Sequence, residues 1–555
     1  MTSLSSKSLA NSVAYFNGRV YTINTQQPWA EAFIVTATGI FEAVGSDTEI
    51  LSIAKKRMLV QFDLRQKFVM PGIHDAHSHM YMGSTMQLNE STMNLEIPDS
   101  KIGEKLHHGH CMCSYYGVRD DWVIGNSYGA FNFPDSIPDR RYLDGIWPDQ
   151  PVFLREVSAH KLLLNTAALK RLGIDDSIVD PPAGAFVRRS DGTLTGELLE
   201  SATGLVWDNL PKPALAHVKR ALEHGMSVCH RYGITSAQEA IANTAYLHAL
   251  HELESENRLN LDMYTHIMSA PAAIAEESEE SLISLLNIAE GFRTKHIHPQ
   301  FVKFVLDGAP IPPHLTQADL DEQGRTCEEN IYVDRETLLT RMKLFDSRGM
   351  TCKLHAAGEG SVRMALEVIE KLRESNKDGP RHEIAHCNSV HADDIRRFAP
   401  LRITAEMSPA IFHQPFLFES VPHLGNWNFN GFLSSNTLMT IGSDWAVVPT
   451  PELFPALAGI VEKIHGLEDD NTTDGDGLTN LQRGGRILCQ VITLGGAEAV
   501  GANHRTGSIE VGKKANFIAV NQDLSEGHFK DAKVLQTWFE GRIVFSARSD
   551  GMPSL

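Results

Sequence analysis

The spacing of apolar positions divides the chain into three stretches. Tyr15 to Thr22 reads as two β-type runs around Asn17-Gly18, a pair favoured in tight hairpin turns because both residues tolerate positive φ. Phe33 to Val44 repeats the pattern around Thr38-Gly39. Near the other end, Val534 to Phe545 reads as a similar hairpin, with Ala515 to Val520 as a further strand candidate. Antiparallel sheet at both ends predicts one small β-sandwich domain built from residues 1–69 and 503–555. Between them, short apolar strands precede helical stretches of about 10 to 15 residues, the pattern of βα units on a parallel sheet. Strand candidates are Ser236 to Gln238, Phe301 to Leu306, Thr351 to His355, His382 to His386, Ile403 to Met407 and Leu438 to Ile441. Several end on a His, Asp or Lys, which suits a (β/α)₈ barrel, whose chemistry sits at the C-terminal strand ends.

The predicted class is therefore α/β, a TIM-like (β/α)₈ barrel over residues 70–502 joined to the composite β-domain. A chain of 555 residues exceeds one ordinary core, so a barrel with insertions and a companion domain is the expected division. Residues 84–215, rich in Pro, Gly and aromatic side chains, read as a long insertion after the first barrel strand that roofs the pocket. Ala275 to Glu280 is a short acidic run expected to be a solvated helix face.

Composition narrows the function classes. With 42% hydrophobic and 21% charged residues, no stretch approaches the roughly 20 apolar residues that span a bilayer, so no membrane partner is expected. Met1 to Lys7 lacks the apolar core of a secretory signal. Seven scattered cysteines suit reduced thiols, and together these features predict a cytoplasmic protein. A formal net charge of −19 without a long basic run argues against nucleic acid.

Val69 to His79 carries the strongest chemical signal, because His77 and His79 are at i and i+2 and so point to one side of an extended strand. Both imidazoles can then meet one ion, and the donor type suits zinc, iron or manganese alike. Alone, His-x-His is weak evidence. Other strand ends add Lys303, His355, His386 and Asp444. Singly each has a plain structural reading: His355 as a core histidine, Asp444 as a helix N-cap, Lys303 as a partner for Asp307. Jointly they compete poorly with a shared metal site.

On these residues the chain resembles the amidohydrolase superfamily, in particular its YtcJ-like branch, which includes enzymes that remove formyl groups from N-substituted formamides. The resemblance rests on His77 and His79 for the first strand, Phe301 to Gly308 with Lys303 for the fourth, and Lys353 to Gly358 with His355 for the fifth. His382 to His386 matches the sixth strand and Ile441 to Trp445, with Asp444, the eighth. Thr506 to Asn516 resembles the return into the terminal β-domain, with Asn516 in place of the usual Asp. Pro151 to Leu169 and Asp191 to Glu200 resemble the branch's insertion, with Ser158 where Asp is commoner.

The resemblance implies hydrolysis of a small non-peptide amide, a homodimer by family habit, and a divalent metal, zinc first. It also implies that Lys303 is carboxylated, because a protonated ammonium has no lone pair for a cation. Modified, Lys303 bridges two ions, with His77, His79 and Asp444 on one and His355 and His386 on the other; unmodified, one ion is expected. Asp444 is the expected general base and then acid. A mononuclear deaminase or cyclic-amide hydrolase is the alternative enzyme, and a metal-binding protein without catalysis the alternative of another class. The intact set from His77 to Asp444 argues against the last.

His160 is a candidate contact for substrate or its carbonyl oxygen. Phe412, His413, Phe416, Phe418 and Trp445 are candidates for an apolar pocket wall. His74 and Asp75 flank the histidine pair and are expected to pack or to support it. His107 to Cys113 resembles a metal cluster, but Cys-x-Cys is not usual zinc spacing.

Overall fold

The computed structural model describes residues 11–89, 91–92, 122–133, 135–210, 212–271, 275–409, 428–464 and 477–547. Its centre is an eight-stranded, all-parallel sheet in chain order: Ile73–Ser78, Ile234–Ala242, Asp262–Ala270, Ile297–Val305, Thr351–Ala356, His382–His386, Ile403–Met407 and Leu438–Ile441. These strands are almost wholly buried, as expected where helices cover the outer face of a parallel sheet. The crossover helices are amphipathic. Glu359–Ser375, for example, buries Val362, Leu366, Ile369 and Leu372 against the sheet side. Side-chain caps fix where helices start: Asn243 accepts from Tyr246 N–H, and Asp334 from Glu336 and Thr337 N–H.

The barrel closes at its C-terminal rim. Asp444 N–H donates to His77 C=O at 2.8 Å and His79 N–H to Trp445 C=O at 3.0 Å, so the segment after the eighth strand is stitched to the end of the first. Among the sequence expectations, the third barrel strand was missed. Asp262–Ala270 carries Thr265 and His266 inside an otherwise apolar run, and both are buried in the barrel.

Residues from both chain ends build two further sheets. One runs Phe41–Gly45, Ala32–Val35, Val13–Phe16, Val60–Asp63; the other Arg542–Ser546, Val534–Phe539, Phe517–Val520, Phe68–Pro71, Arg19–Tyr21, Trp29–Ala30. They share a core of Tyr15, Phe33, Phe41, Phe62, Phe517 and Trp538, with the last two rings stacked at 4.5 Å. The hairpins at Phe33 to Val44 and Val534 to Phe545 form as antiparallel pairs. The expected hairpin at Asn17-Gly18 does not: the turn is present, with Asn17 at φ 57°, but it carries the chain from one sheet to the other. Asn-Gly specifies the reversal, and packing of the two sheets decides the partners.

Within the stretch read as an insertion lies a six-stranded sheet, Gly184–Arg188, Leu194–Glu200, Lys161–Leu164, Val152–Glu156, Val123–Tyr128, Ser91–Thr92. It has its own core of Trp122, Phe153, Leu162, Leu164, Phe186 and Trp207, so this region is more regular than its composition suggested. No helix among the described residues is long and apolar enough to cross a membrane.

Candidate metal centre

The strand ends converge on one cavity of about 110 Å³. Its floor is His77, His79, Lys303, His355, His386 and Asp444; His160, Glu200, Arg155 and Trp207 come from the insertion side, and Met82, Ile241, Val305, Ile311 and Val447 supply apolar wall. His77, His386 and Asp444 each offer a ligand atom within 4.8 Å of the others. Asp444 Oδ1 lies 3.1 Å from His79 Nε2 and 3.8 Å from His77 Nε2, without hydrogen-bond geometry to either. Lys303 Nζ is 3.4 Å from His77 Nε2. His386 at φ 77° and Asp444 at φ 53° both hold the left-handed backbone that side chains with a Cβ rarely adopt, a strain that clusters at functional sites.

With Glu406 as a carboxylate, the hydrogen bonds assign a proton to one nitrogen of each ring. His77 Nδ1–H donates to Glu406 Oε2 at 2.7 Å, leaving Nε2 bare toward the cavity. Ser408 Oγ–H donates to Glu406 Oε1 at 3.0 Å, so Ser408 accepts from His386 Nδ1–H at 3.1 Å and His386 Nε2 is bare. His355 Nε2–H donates to Gly308 C=O at 3.2 Å, leaving Nδ1 bare. The two bare nitrogens of His355 and His386 then face each other at 2.9 Å, which repels unless a cation lies beside both. Two nitrogens about 2.1 Å from a tetrahedral ion sit about 3.4 Å apart, so a small spreading of the rings seats one. Buried Asp444 Oδ1 and His79 Nδ1 also lack hydrogen-bond partners among the described residues. The donor set fits a divalent ion.

Electrostatics agree. Burial, then the neighbouring Lys303 and imidazoles, pushes His77 and His386 well below the usual imidazole range, and His355 is lowered by burial and by His160. All three are neutral, the form that binds metal. Burial and the adjacent Lys353 charge, beside it in strand register, lower Lys303 toward the free amine. Lys353 itself pairs with buried Glu383 at 3.1 Å.

Sequence reasoning missed Glu406, on the seventh strand. It is fully buried, bonds His77, accepts from His386 N–H at 3.2 Å and reaches His386 again through Ser408. Its signal was a lone carboxylate in the apolar run Ile403 to Met407. Burial raises its pKa, against the pull of Lys353. His160 Nδ1 bonds Glu200 Oε2 at 2.8 Å, and Glu200 Oε1 accepts from Thr316 Oγ–H at 2.6 Å. Burial opposes a charge on His160, but the Glu200 carboxylate outweighs it and raises the imidazole's pKa. A β-carbon on Gly308 would lie 2.4 Å from Glu200 Oε1 and 2.2 Å from Thr316 Oγ, so only glycine admits this arrangement.

Other sequence expectations fare differently. Trp445 does not line the cavity: it is 1% exposed and packs so close to Gly83 that a β-carbon there would lie 2.8 Å from the indole. Its neighbour Asp444 turns inward while the indole is spent on barrel closure. Phe412, His413, Phe416, Phe418 and the His107 to Cys113 segment lie outside the described residues. The acidic run is not wholly solvated, since Glu276 borders the cavity and Glu277 accepts from Thr244 N–H and Oγ–H. His74 and Asp75 are not among the residues lining the cavity and bond Ser236 and Ser443.

A parallel barrel with nitrogen and oxygen donors gathered at its C-terminal rim defines a metal-dependent hydrolase. A model of the amidohydrolase family matches residues 61–545, and the chain belongs to that family. An N-substituted formamide deformylase from Arthrobacter pascens is 22% identical over 545 residues, 95% of this chain and 96% of the relative. The putative amidohydrolase YtcJ of Bacillus subtilis is 21% identical, covering 96% and 99%. Among solved structures, an uncharacterized metal-dependent hydrolase from Pyrococcus horikoshii superposes with a TM-score of 0.69 at 18% identity, covering 93% of this chain and 99% of that one.

Proposed function

We propose that the protein hydrolyses the C–N bond of a small non-peptide amide, with N-substituted formamides as the leading class. The observation that carries this reading is the convergence of bare imidazole nitrogens and the unpartnered Asp444 oxygen in one cavity. The full-length similarity to a formamide deformylase directs the choice of substrate. A divalent ion held by these residues, zinc by the family resemblance, would acidify water and polarise a carbonyl oxygen. Asp444 Oδ1 takes the proton of the attacking water and returns it to the leaving nitrogen, so the carbonyl carbon gains hydroxyl and the amine departs neutral. His160, whose charged form Glu200 favours, donates to the carbonyl oxygen as charge gathers there.

Lys303 as a free amine adds CO₂ and loses a proton to become a carbamate, an anion with two oxygens. In that form it would serve two ions, which His77, His79 and Asp444 on one side and His355 and His386 on the other would hold. The compact group His77, His386 and Asp444 favours a second reading, a single ion with unmodified Lys303 and deaminase or cyclic-amide chemistry. Elemental analysis per chain, the mass of the Lys303 peptide under carbamate-preserving conditions and turnover of formamides separate them. Two ions with a carbamate and formate release are the expected result. One ion, bare lysine and ammonia release from a heterocycle select the second reading, and a metal-free active protein defeats both.

A further inference from the structure

Asn388 lies two residues beyond His386, lines the same cavity and is 5% exposed. Neither its Oδ1 nor its Nδ2 has a hydrogen-bond partner among the described residues. It is the only buried carboxamide among them with both ends unmatched. Asn165 shows what a structural asparagine does here: its Oδ1 accepts from Val152 and Ala168 N–H, and its Nδ2 donates to Trp147 and Gln150 C=O. A buried donor and acceptor left unmade cost folding free energy, and such groups in a native protein call for an explanation.

We infer that Asn388 reads the substrate's amide group, an assignment that rests on the amide-hydrolase reading above. A carboxamide carries a donor and an acceptor side by side in one plane. Its complement is a ligand edge with a carbonyl oxygen and an N–H on the same side, as in a primary amide, a cyclic amide, or a secondary formamide with its N–H syn to the oxygen. Asn388 Nδ2–H donates to the carbonyl oxygen and Oδ1 accepts from the N–H. Esters and tertiary amides lack that hydrogen and leave Oδ1 unmatched, so the pocket selects amides that keep an N–H. A site built to hydrogen-bond a group discriminates against the analogue lacking it far more sharply than an apolar pocket does.

The test uses the metal-loaded full chain, formanilide and its ester counterpart phenyl formate. In Asn388→Leu, kcat/KM for formanilide is expected to fall about a hundredfold and for phenyl formate about tenfold, because two hydrogen bonds are lost against one. The amide-over-ester ratio therefore drops about tenfold. Without substrate, Asn388→Leu should melt at or above the wild-type temperature, since it removes two unmatched polar groups. A variant that loses both activities equally, loses neither, or melts several degrees lower overturns the assignment. If the wild type hydrolyses neither compound, the amide-hydrolase reading fails by itself. Asn388 is then judged by thermal stabilisation with formanilide, which the wild type should show and Asn388→Leu should lose; equal stabilisation or none in both overturns it.

Discussion

Two clusters built on buried carboxylates and imidazoles occupy opposite ends of the barrel, and they differ in how completely they satisfy themselves. At the N-terminal end, Asp262 accepts from His296 at 2.8 Å and from Lys514 at 2.8 and 3.1 Å, while Glu540 pairs with Lys295 at 2.5 Å and lies 3.6 Å from Lys514. Two carboxylates meet two ammonium groups, and the cluster pins the barrel to the terminal sheets. At the C-terminal end the same residue types leave His355 Nδ1 facing His386 Nε2, and Asp444 Oδ1 without a hydrogen-bond partner among the described residues. The lower cluster is finished by the chain itself; the upper one is finished only by a cation. Residue type does not separate scaffold from site, but the surplus of lone pairs does.

That contrast is easiest to break at the top. Asp444→Asn should lower kcat by at least about a thousandfold, in the range of lost acid–base catalysis, with the apoprotein as stable as wild type. Steady-state kinetics and a melting curve on metal-free protein check both halves. At the bottom the pattern should invert. Lys514→Met takes from buried Asp262 its ammonium partner and should cost about 3–5 kcal/mol of stability, seen in denaturant unfolding, with kcat per folded molecule unchanged.

Glu406→Ala removes the group that orients His77 and His386, and should weaken metal affinity about 10–100-fold in chelator competition, with Glu406→Gln closer to wild type. The smallest effect concerns acid. Burial alone would raise the Asp262 pKa, but Lys514 and His296 outweigh it and hold the carboxyl below its usual range. A depressed folded-state pKa means the unfolded chain takes up the proton first. The stabilisation is complete above about pH 4 and is lost as pH falls below it. The wild type should therefore lose melting temperature as pH falls from about 4 to about 2, and Lys514→Met should show a shallower slope.

Much of the architecture could be read from spacing. The βα alternation and the strand ends carrying Lys303, His355, His386 and Asp444 are local patterns, because period-two alternation and strand termini are written in consecutive residues. Glu406, Glu200 and Asn388 were not legible. Each is an ordinary polar residue whose importance depends on distant segments: Glu406 on His77, Glu200 on His160 and Thr316, and Asn388 on having no hydrogen-bond partner among the described residues. Trp445 misled for a related reason, since a large aromatic after a strand end serves pocket wall and barrel closure equally well in sequence.

The sequence by itself determined the element types, the order of the barrel strands and the donor atoms available at their ends, because hydrophobic periodicity and residue chemistry are local properties. Only the tertiary structure decided that Asn17-Gly18 crosses between sheets, that Glu406 bonds toward two histidines, and that Asn388 is buried without a hydrogen-bond partner among the described residues. These outcomes depend on which groups meet after the chain has closed, and the meeting of distant side chains is set by packing.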